Sequence, residues 1–599
     1  MRPHNRFRCI LMCLSVLCLA LATHAATIFD AVEQGQLATV KTLVTKYPQA
    51  VNVRDTERQT PLMVALTRCE TSEIARFLLE KGAAVNVSSR DGSTPLLLAA
   101  NAGKLDIVKI LLGKGVDTHV RDDKGNTFLQ QAAASKNIEI VKLALAAGGD
   151  VRAANDANDT PLLAALGITG DQMESYGDDA STKQFTNILK LLVEVLPSED
   201  RKAAEAELAK RNTDADQLAI VTLLLDQGAD ANAVDIHGMT PLLAAAKTGE
   251  MSLVTVVLQH GANPLAKDKN ECSFLHYAAK SGDDGMVNLA LEKGCDAKAR
   301  DIYRNTPLHY ALGVIATSDQ DFIGGMVNFF SSAMTDMLSS MLEELPENVM
   351  AGLTAEQKTR ITELLEKRAQ DPAEPMVKAL VEHGADVNAV NINGDTALLG
   401  AAARGAGESV KLLVSRGADI KAANENGETV LYNAAVSGNI DAVKYLCDKG
   451  CSVNCRTEDG STPLHAAAEH ANGEMVEVLI SKGANVTASD ENGVTPLHSA
   501  TRSMGGEEDR CISFLLQHGA KLNAQTKDGN TPLHLAAQNG YNDTVKQLLA
   551  AKANINAVNN EKKTPLALAN AELAKSKSRG WECEGLQATI ATLKAHGAK

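Results

Sequence analysis

The strongest constraint on the fold is a ten-residue stretch, Asp528 to Ala537, that recurs along the chain at a nearly constant interval. Its threonine, replaced once by serine, is mostly followed by Pro-Leu, and most neighbouring copies lie 33 residues apart. Such a chain folds as a series of similar units, because each unit buries its apolar face only against its neighbours. The motif residues are Thr60, Thr94, Thr127, Thr160, Thr240, Ser273, Thr306, Thr396, Thr429, Thr462, Thr495, Thr531 and Thr564.

The residue types of the motif predict a helix-turn-helix unit. Threonine is a favourable helix N-cap because its hydroxyl accepts a backbone N–H, and proline suits the first helical position because no N–H is needed there. Leu533, Ala536 and Ala537 are spaced to bury one face of this first helix. Glycine recurs nine residues after the threonine, as at Gly540, and again 21 residues after it, as at Gly115. Both positions are typical of a helix end.

The 33-residue period and the Thr-Pro-Leu-His-x-Ala motif resemble the ankyrin repeat over nearly the whole chain. The resemblance implies an all-α fold, an ankyrin-repeat α-solenoid of about 14 stacked helix-turn-helix repeats with short β-turn tips. It also implies that the chain binds proteins through the turn tips and the inner face of each first helix. The motif histidine is implied to form hydrogen bonds within and between the turns.

Two long intervals predict two helical insertions. Thr160 and Thr240 are 80 residues apart, and Thr306 and Thr396 are 90 apart. Each insertion is expected inside one repeat, between its two helices, because a glycine returns to register before the next threonine. The extra residues are expected at about 168–216 and 314–375.

The second insertion carries an apolar segment with helical spacing. Phe329, Phe330 and Met334 belong to it, and acidic residues flank the segment where a membrane-surface helix would carry lysines. Two alternatives stay open for this helix, which either packs on its own array or binds a partner. Membrane contact is not expected.

The N-terminal residues predict a signal peptide. Arg2, Arg6 and Arg8 precede an uncharged run from Cys9 to Ala22, which is too short to span a bilayer as a helix. The chain is therefore expected to be exported, with the periplasm as the expected location and secretion as the alternative. The expected segments are a signal peptide at 1–25, a solenoid at 26–599 and a C-terminal cap at about 561–599.

The charge of the chain argues against a nucleic-acid partner. Three of the 59 Lys and Arg residues lie in the leader, which leaves 56 against 74 acidic residues, a formal charge of −18. Nucleic-acid binding needs a basic surface that displaces counterions from phosphates, and no basic stripe stands out.

No sequence pattern predicts a metal, a cofactor or a catalytic centre. Histidine recurs in the fourth position of the motif, as at His465, His498 and His534. Layers of helices lie about 8–10 Å apart, so neighbouring motif histidines cannot share a zinc ion at bonds of about 2 Å. Nucleophile-elbow, zinc-protease, Walker and dinucleotide-binding motifs are all missing from the sequence. We expect a protein that is not an enzyme.

Eight cysteines follow the predicted leader. Cys447, Cys451 and Cys455 occupy the places of small buried residues in the repeat, which favours a packing role. Disulfides stay possible in an oxidising compartment, and no pairing follows from the sequence. Cys583 is expected to be an exposed thiol.

The positions that vary between repeats predict the partner-binding residues. There are three such positions in each repeat: about four residues before the motif threonine, one residue before it, and seven residues after it. One group is apolar and basic: Ile236, Met239, Lys247, Lys280, Ile302 and Tyr303. A second group is a line of carboxylates: Glu425, Glu428, Glu458 and Glu491.

The expected function is a non-catalytic scaffold or adaptor for protein-protein interaction in the periplasm or cell envelope. The expected partner is a protein, and the chain is expected to be monomeric. Two alternatives stay open: a secreted effector that binds host proteins, and an enzyme or enzyme inhibitor built on the insertions.

Overall fold

The computed structural model describes residues 28–168, 214–316, 371, 373–502, 508–579 and 583–599. These residues belong to two compact units. Unit 1 comprises Met1–Ser281 with Glu292–Cys295, and unit 2 comprises Gly282–Leu291 with Asp296–Lys599. Each unit is a stack of helix-turn-helix repeats, and a repeat is named below by its motif residue.

The first helix of each repeat begins directly after the motif residue. In unit 1 these helices are Pro61–Arg68, Pro95–Asn101, Phe128–Ala134, Pro161–Ala165, Pro241–Thr248 and Phe274–Ser281. In unit 2 they are Pro307–Ala311, Ala397–Ala403, Val430–Val436, Pro463–Glu469, Pro496–Ala500, Pro532–Asn539 and Pro565–Ser578.

The second helices run back alongside the first. In unit 1 they are Leu37–Lys46, Glu73–Glu80, Leu105–Gly113, Ile138–Ala146, Asp214–Asp226 and Met251–Gln259, with a 3-10 helix at Pro48–Asn52. Asp284–Glu292 spans the boundary between the two units, and all but its last residue belongs to unit 2. The others in unit 2 are Glu374–Glu382, Gly407–Ser415, Ile440–Asp448, Gly473–Ser481, Glu508–Gln517, Asn542–Ala550 and Glu584–Ala595.

The predicted hydroxyl N-cap is confirmed at eight motif threonines: Thr60, Thr94, Thr127, Thr160, Thr240, Thr396, Thr429 and Thr564. In the repeats of Thr306, Thr462, Thr495 and Thr531 the hydroxyl lies 2.8–2.9 Å from Nδ1 of the motif histidine instead. The Thr60 hydroxyl accepts a hydrogen bond from the backbone N–H of Met63, and Pro61 occupies the first helical position. The threonine therefore satisfies an N–H that the helix itself leaves unpaired, and it fixes the residue at which the helix begins.

The core of each unit is a continuous layer of small and branched apolar side chains. Leu533, Ala536 and Ala537 are buried, as their spacing predicts, and the first helix Pro532–Asn539 packs against Pro565–Ser578. Because alanine adds little bulk, successive first helices can pack closely, while the Leu and Val residues of the second helices fill the space between them.

Three of the turns before a first helix carry the only β-type pairing that the described ranges contain. The pairing consists of isolated bridges inside a turn, such as Lys267 with Ser273, and the ranges contain no strand. The described residues therefore form an all-α repeat solenoid within each unit. Most of both predicted insertions, with Phe329, Phe330 and Met334, and the predicted leader lie outside the described residues.

Candidate protein-interaction surface

A single aspartate builds the turn at the Thr240 repeat. One carboxylate oxygen of Asp235 accepts the backbone N–H groups of His237, at 2.8 Å, and Met239, at 2.7 Å. The Asp235 N–H donates in turn to the Met239 carbonyl oxygen. These bonds close the turn and leave the Ile236 side chain at its tip, 40% exposed.

Backbone hydrogen bonds join the tips into a ladder within each unit. The tip residue, four before the motif residue, donates its N–H to a carbonyl oxygen in the preceding turn at 2.7–3.1 Å. The pairs in unit 1 are Arg90–Glu57, Asp123–Asp91, Asp156–Lys124, Ile236–Ala157 and Lys269–His237. The pairs in unit 2 are Ile392–Tyr303, Glu425–Asn393, Glu458–Asn426, Glu491–Asp459, Lys527–Asn492 and Asn560–Asp528.

The ladder is continuous across both long intervals. Ile236 binds Ala157 at 3.0 Å in unit 1, and Ile392 binds Tyr303 at 3.1 Å in unit 2. The turns on either side of each interval are therefore neighbours, although many residues separate them in sequence. Backbone hydrogen bonds hold the tips in place, so the position of each tip does not depend on which side chain it exposes.

The predicted apolar and basic residues divide between the two units. In unit 1, Ile236 is exposed at a tip, Lys247 is exposed in the last turn of Pro241–Thr248, and Lys280 is partly exposed. In unit 2, Ile302 is 49% exposed and Tyr303 is partly exposed.

Met239 does not belong to an exposed surface. Its side chain is only 5% exposed, because the residue directly before the motif threonine points into the turn while its backbone pairs with Asp235. Glu428, at the same register, is partly buried and accepts a hydrogen bond from the Asn424 side chain at 2.8 Å. The register one before the threonine thus supports the turn and presents little to a partner.

The predicted line of carboxylates is brought together in unit 2. Glu425, Glu458 and Glu491 are exposed tips on three successive rungs of the ladder. Nearby, burial raises the pKa of the Tyr432 hydroxyl to about 12, and the Glu428 carboxylate acts in the same direction. The phenol therefore stays protonated beside an acidic surface.

Unit 1 also contains a groove that the sequence does not predict. It has a volume of about 370 Å³ and lies over the turns of three successive repeats, those of Thr127, Thr160 and Thr240. The position four residues before the motif threonine could have indicated it, because Asp123 and Asp156 share this position with Ile236 although only Ile236 was among the predicted residues. The lining residues that matter most are Asp123, Lys124, Asp156, Ala157, Ile168 and Ile236.

Comparison with known proteins decides the family. A family model described as "Ankyrin repeats (3 copies)" matches residues 28–122, 97–168, 208–301, 367–457, 449–526 and 503–575, which together are well over half of the chain. The chain belongs to the ankyrin-repeat family.

Curated ankyrin-repeat relatives match over a short segment. Ankyrin repeat domain-containing protein 53 of Homo sapiens is 40% identical over 79 residues, 13% of this chain and 15% of the relative. The Macaca fascicularis protein of the same name is 39% identical over 79 residues, 13% of this chain and 16% of the relative. The chain thus spans about one sixth of the length of these relatives.

The motif histidine of this ankyrin-repeat protein links adjacent repeats, as the resemblance implied. His534 Nδ1 accepts the Thr531 N–H at 3.1 Å, and its Nε2 lies 3.1 Å from the Lys563 carbonyl oxygen in the next repeat. Burial lowers the pKa of His534, which keeps the ring neutral with its proton on Nε2.

The cysteines of the ankyrin repeats are packed in the fold. Cys447, Cys451 and Cys455 are partly buried, and burial raises the pKa of each thiol. The expectation of an exposed thiol at Cys583 is wrong, because this residue is 8% exposed at the start of helix Glu584–Ala595.

Two further findings on the described residues concern metal ions and membranes. Across the ranges given above, no group of three or more His, Cys, Asp or Glu side chains is arranged to hold a metal ion. None of the described helices is both long enough and apolar enough to span a membrane. Ankyrin-repeat proteins are generally non-catalytic scaffolds, and the repeats imply that this chain takes part in protein-protein interaction.

Proposed function

We propose that this chain is a non-catalytic scaffold or adaptor that binds proteins in the periplasm or cell envelope and acts as a monomer. The observation that carries the proposal is the ladder of turn tips in each unit. Its geometry is fixed by backbone hydrogen bonds, whereas its side chains change from Ile236 to Lys269 and from Glu425 to Lys527. A rigid support with variable side chains suits specific recognition of a partner surface.

Location in the envelope is proposed from the N-terminal residues. Three arginines before an uncharged run of 14 residues have the composition of a secretory leader. Fractionation of cells that produce the chain tests this step. Recovery in the periplasmic fraction supports the proposal, whereas recovery only in the culture medium favours a secreted effector.

The absence of catalysis is proposed from the use of the polar residues. The motif threonines and histidines and the turn aspartates are engaged in caps and turns, as with Thr531, His534 and Asp235. An enzyme would have to be built on the two insertions. A variant without Phe322–Arg368 that retains every captured protein argues against the second insertion as the active part.

The decisive experiment is a crosslinking pull-down from envelope extracts with the chain as bait. A variant that combines E425Q, E458Q and E491Q removes three charges from the tips of unit 2. Its matched control, E408Q with E474Q and D543N, removes three exposed charges from the first turns of second helices. Loss of partners in the tip variant or in a similar unit-1 variant, with capture unchanged in the control, supports tip-mediated binding. A bait that captures no protein contradicts the proposal.

A further inference from the structure

We propose that the groove of unit 1 binds an extended segment of a partner protein that carries an arginine or lysine beside an apolar side chain. This inference rests on the proposed protein-binding function and deepens it by naming the chemistry of the ligand. The groove lies within one unit, between residues 123 and 236, and its walls differ in character.

One wall of the groove is acidic. Asp123 and Asp156 are exposed tips on adjacent rungs, joined by the bond from the Asp156 N–H to the Lys124 carbonyl oxygen at 2.9 Å. Neither carboxylate has a hydrogen bond or an ion pair within the described part of the chain. An oxygen of Asp156 lies over Gly125 of the preceding turn, where it would be 3.0 Å from an added Cβ. The two carboxylates therefore stand on a fixed support and are available to a cation.

A second part of the groove lining, its apolar wall, is formed by Ile168 and Ile236. The first helix of the Thr160 repeat, Pro161–Ala165, ends after five residues, whereas Pro241–Thr248 continues for eight. After this early end the Ile168 N–H donates to the Leu163 carbonyl oxygen at 3.1 Å, which holds Ile168 in the wall. Ile236 is the tip that follows Asp156 on the ladder, so the apolar wall begins beside the acidic one.

The floor of the groove is held by its own polar contacts. The Gln130 side chain donates to the Asp159 carbonyl oxygen at 2.5 Å, and Asn155 donates to the side chains of Asn126, at 2.8 Å, and Asp159, at 3.1 Å. These groups are engaged within the fold, so the ligand is recognised by the walls. With three aspartates and one lysine in the lining, the groove carries a net formal charge of −2.

An extended segment that carries a basic and an apolar side chain close together matches these walls. A guanidinium or ammonium group neutralises Asp123 and Asp156, and a guanidinium also offers paired donors to a carboxylate. An apolar neighbour covers Ile168 and Ile236, which removes apolar surface from water. Anionic segments are disfavoured because they meet two carboxylates.

The test uses the intact chain and a phage library of random dodecapeptides. Selected peptides are synthesised, and their affinity is measured by fluorescence anisotropy at two salt concentrations. We expect the selected sequences to share a basic residue next to Leu, Ile, Val or Met. D123N with D156N is expected to weaken binding roughly tenfold or more and to reduce its salt dependence, whereas I236S weakens binding with the salt dependence retained.

The matched control is E408Q with E474Q, which removes the same number of charges from exposed first turns of second helices in unit 2, away from the tips. This control measures the nonspecific attraction of basic peptides to an acidic protein. We expect it to change the peptide affinity by less than about twofold. Circular dichroism verifies that each variant is folded. Peptides without a basic residue, or equal losses in both double variants, contradict the proposal.

Two other occupants of the groove are distinguishable outcomes. Self-association in sedimentation that D123N with D156N abolishes identifies a second copy as the occupant. Peptide binding that appears only after residues 169–213 are replaced by a linker identifies this chain's own segment. Either result overturns the proposal. A pull-down with D123N and D156N that still captures every partner contradicts the groove assignment and leaves the proposed function intact.

Discussion

His465 Nε2 lies 3.1 Å from the carbonyl oxygen of Val494 in the next repeat. On its other side the ring accepts the Thr462 N–H at Nδ1, also at 3.1 Å. One buried side chain therefore satisfies a helix N-terminus and holds the following turn. The same arrangement recurs at His309, His498 and His534, so the histidines join repeats within unit 2.

The first prediction concerns the replacement of His465 by alanine. The change leaves the buried N–H of Thr462 without a partner, removes one of the two hydrogen bonds to the Val494 carbonyl oxygen, and creates a cavity. We therefore expect the free energy of unfolding to fall by about 2–4 kcal/mol. Urea denaturation followed by circular dichroism measures the loss. Glutamine is the control, because Gln130 accepts the Thr127 N–H at 2.7 Å and donates to Asp159 in the same way. A similar loss in H465Q contradicts the hydrogen-bond explanation.

The second prediction is that acid destabilises unit 2 through these histidines. Burial lowers the pKa of His498 from 6.5 to about 4, and it also lowers those of His309 and His465. As the pH falls, these histidines take up protons in the unfolded chain at a higher pH than in the folded chain. Their contribution to stability is therefore fully present above pH 6.5 and is lost as the pH falls towards 4. Urea denaturation at several pH values measures the slope. H498Q keeps both hydrogen bonds without titrating, and a slope equal to that of the unaltered chain argues against His498 as a source.

The fold was largely predictable because it depends on sequence motifs that act over a few residues. Thr60 and Pro61 predict a helix start that depends on backbone geometry alone, and the structure confirms it. The motif repeats many times, so an error at one repeat does not change the assignment of the others. The family match over residues 28–575, with gaps, agrees with the same motif.

The candidate surface was less predictable because exposure depends on contacts within the turn. The register predicts Met239 on the surface, but the Met239 N–H binds the Asp235 carboxylate inside the turn and the side chain is buried. The groove depends on the early end of Pro161–Ala165 and on the bond between Ile236 and Ala157. No local pattern reports that residues 157 and 236 are neighbours.

The third prediction concerns Lys104, a buried lysine in unit 1. Its ammonium group donates to the carbonyl oxygens of Ala65, at 3.0 Å, and Cys69, at 2.7 Å, where helix Pro61–Arg68 ends. K104M keeps most of the volume but leaves both oxygens without this donor, so we expect a loss of about 1–3 kcal/mol in urea denaturation. K109M removes an exposed lysine from the same repeat and serves as the control. Equal effects in the two variants would refute the proposed role of Lys104.

The last prediction separates two reasons for glycine at helix ends. Gly540 and Gly417 both have positive φ, +76° and +88°, so alanine at either site costs about 1 kcal/mol or more in backbone strain. At Gly540 an added Cβ would also lie 2.9 Å from the backbone nitrogen of Leu586, whereas at Gly417 nothing lies within 4 Å. We therefore expect G540A to lower the free energy of unfolding by more than G417A, because the helix Glu584–Ala595 has to move. If urea denaturation shows equal losses in the free energy of unfolding for both variants, backbone strain alone accounts for glycine at position 540.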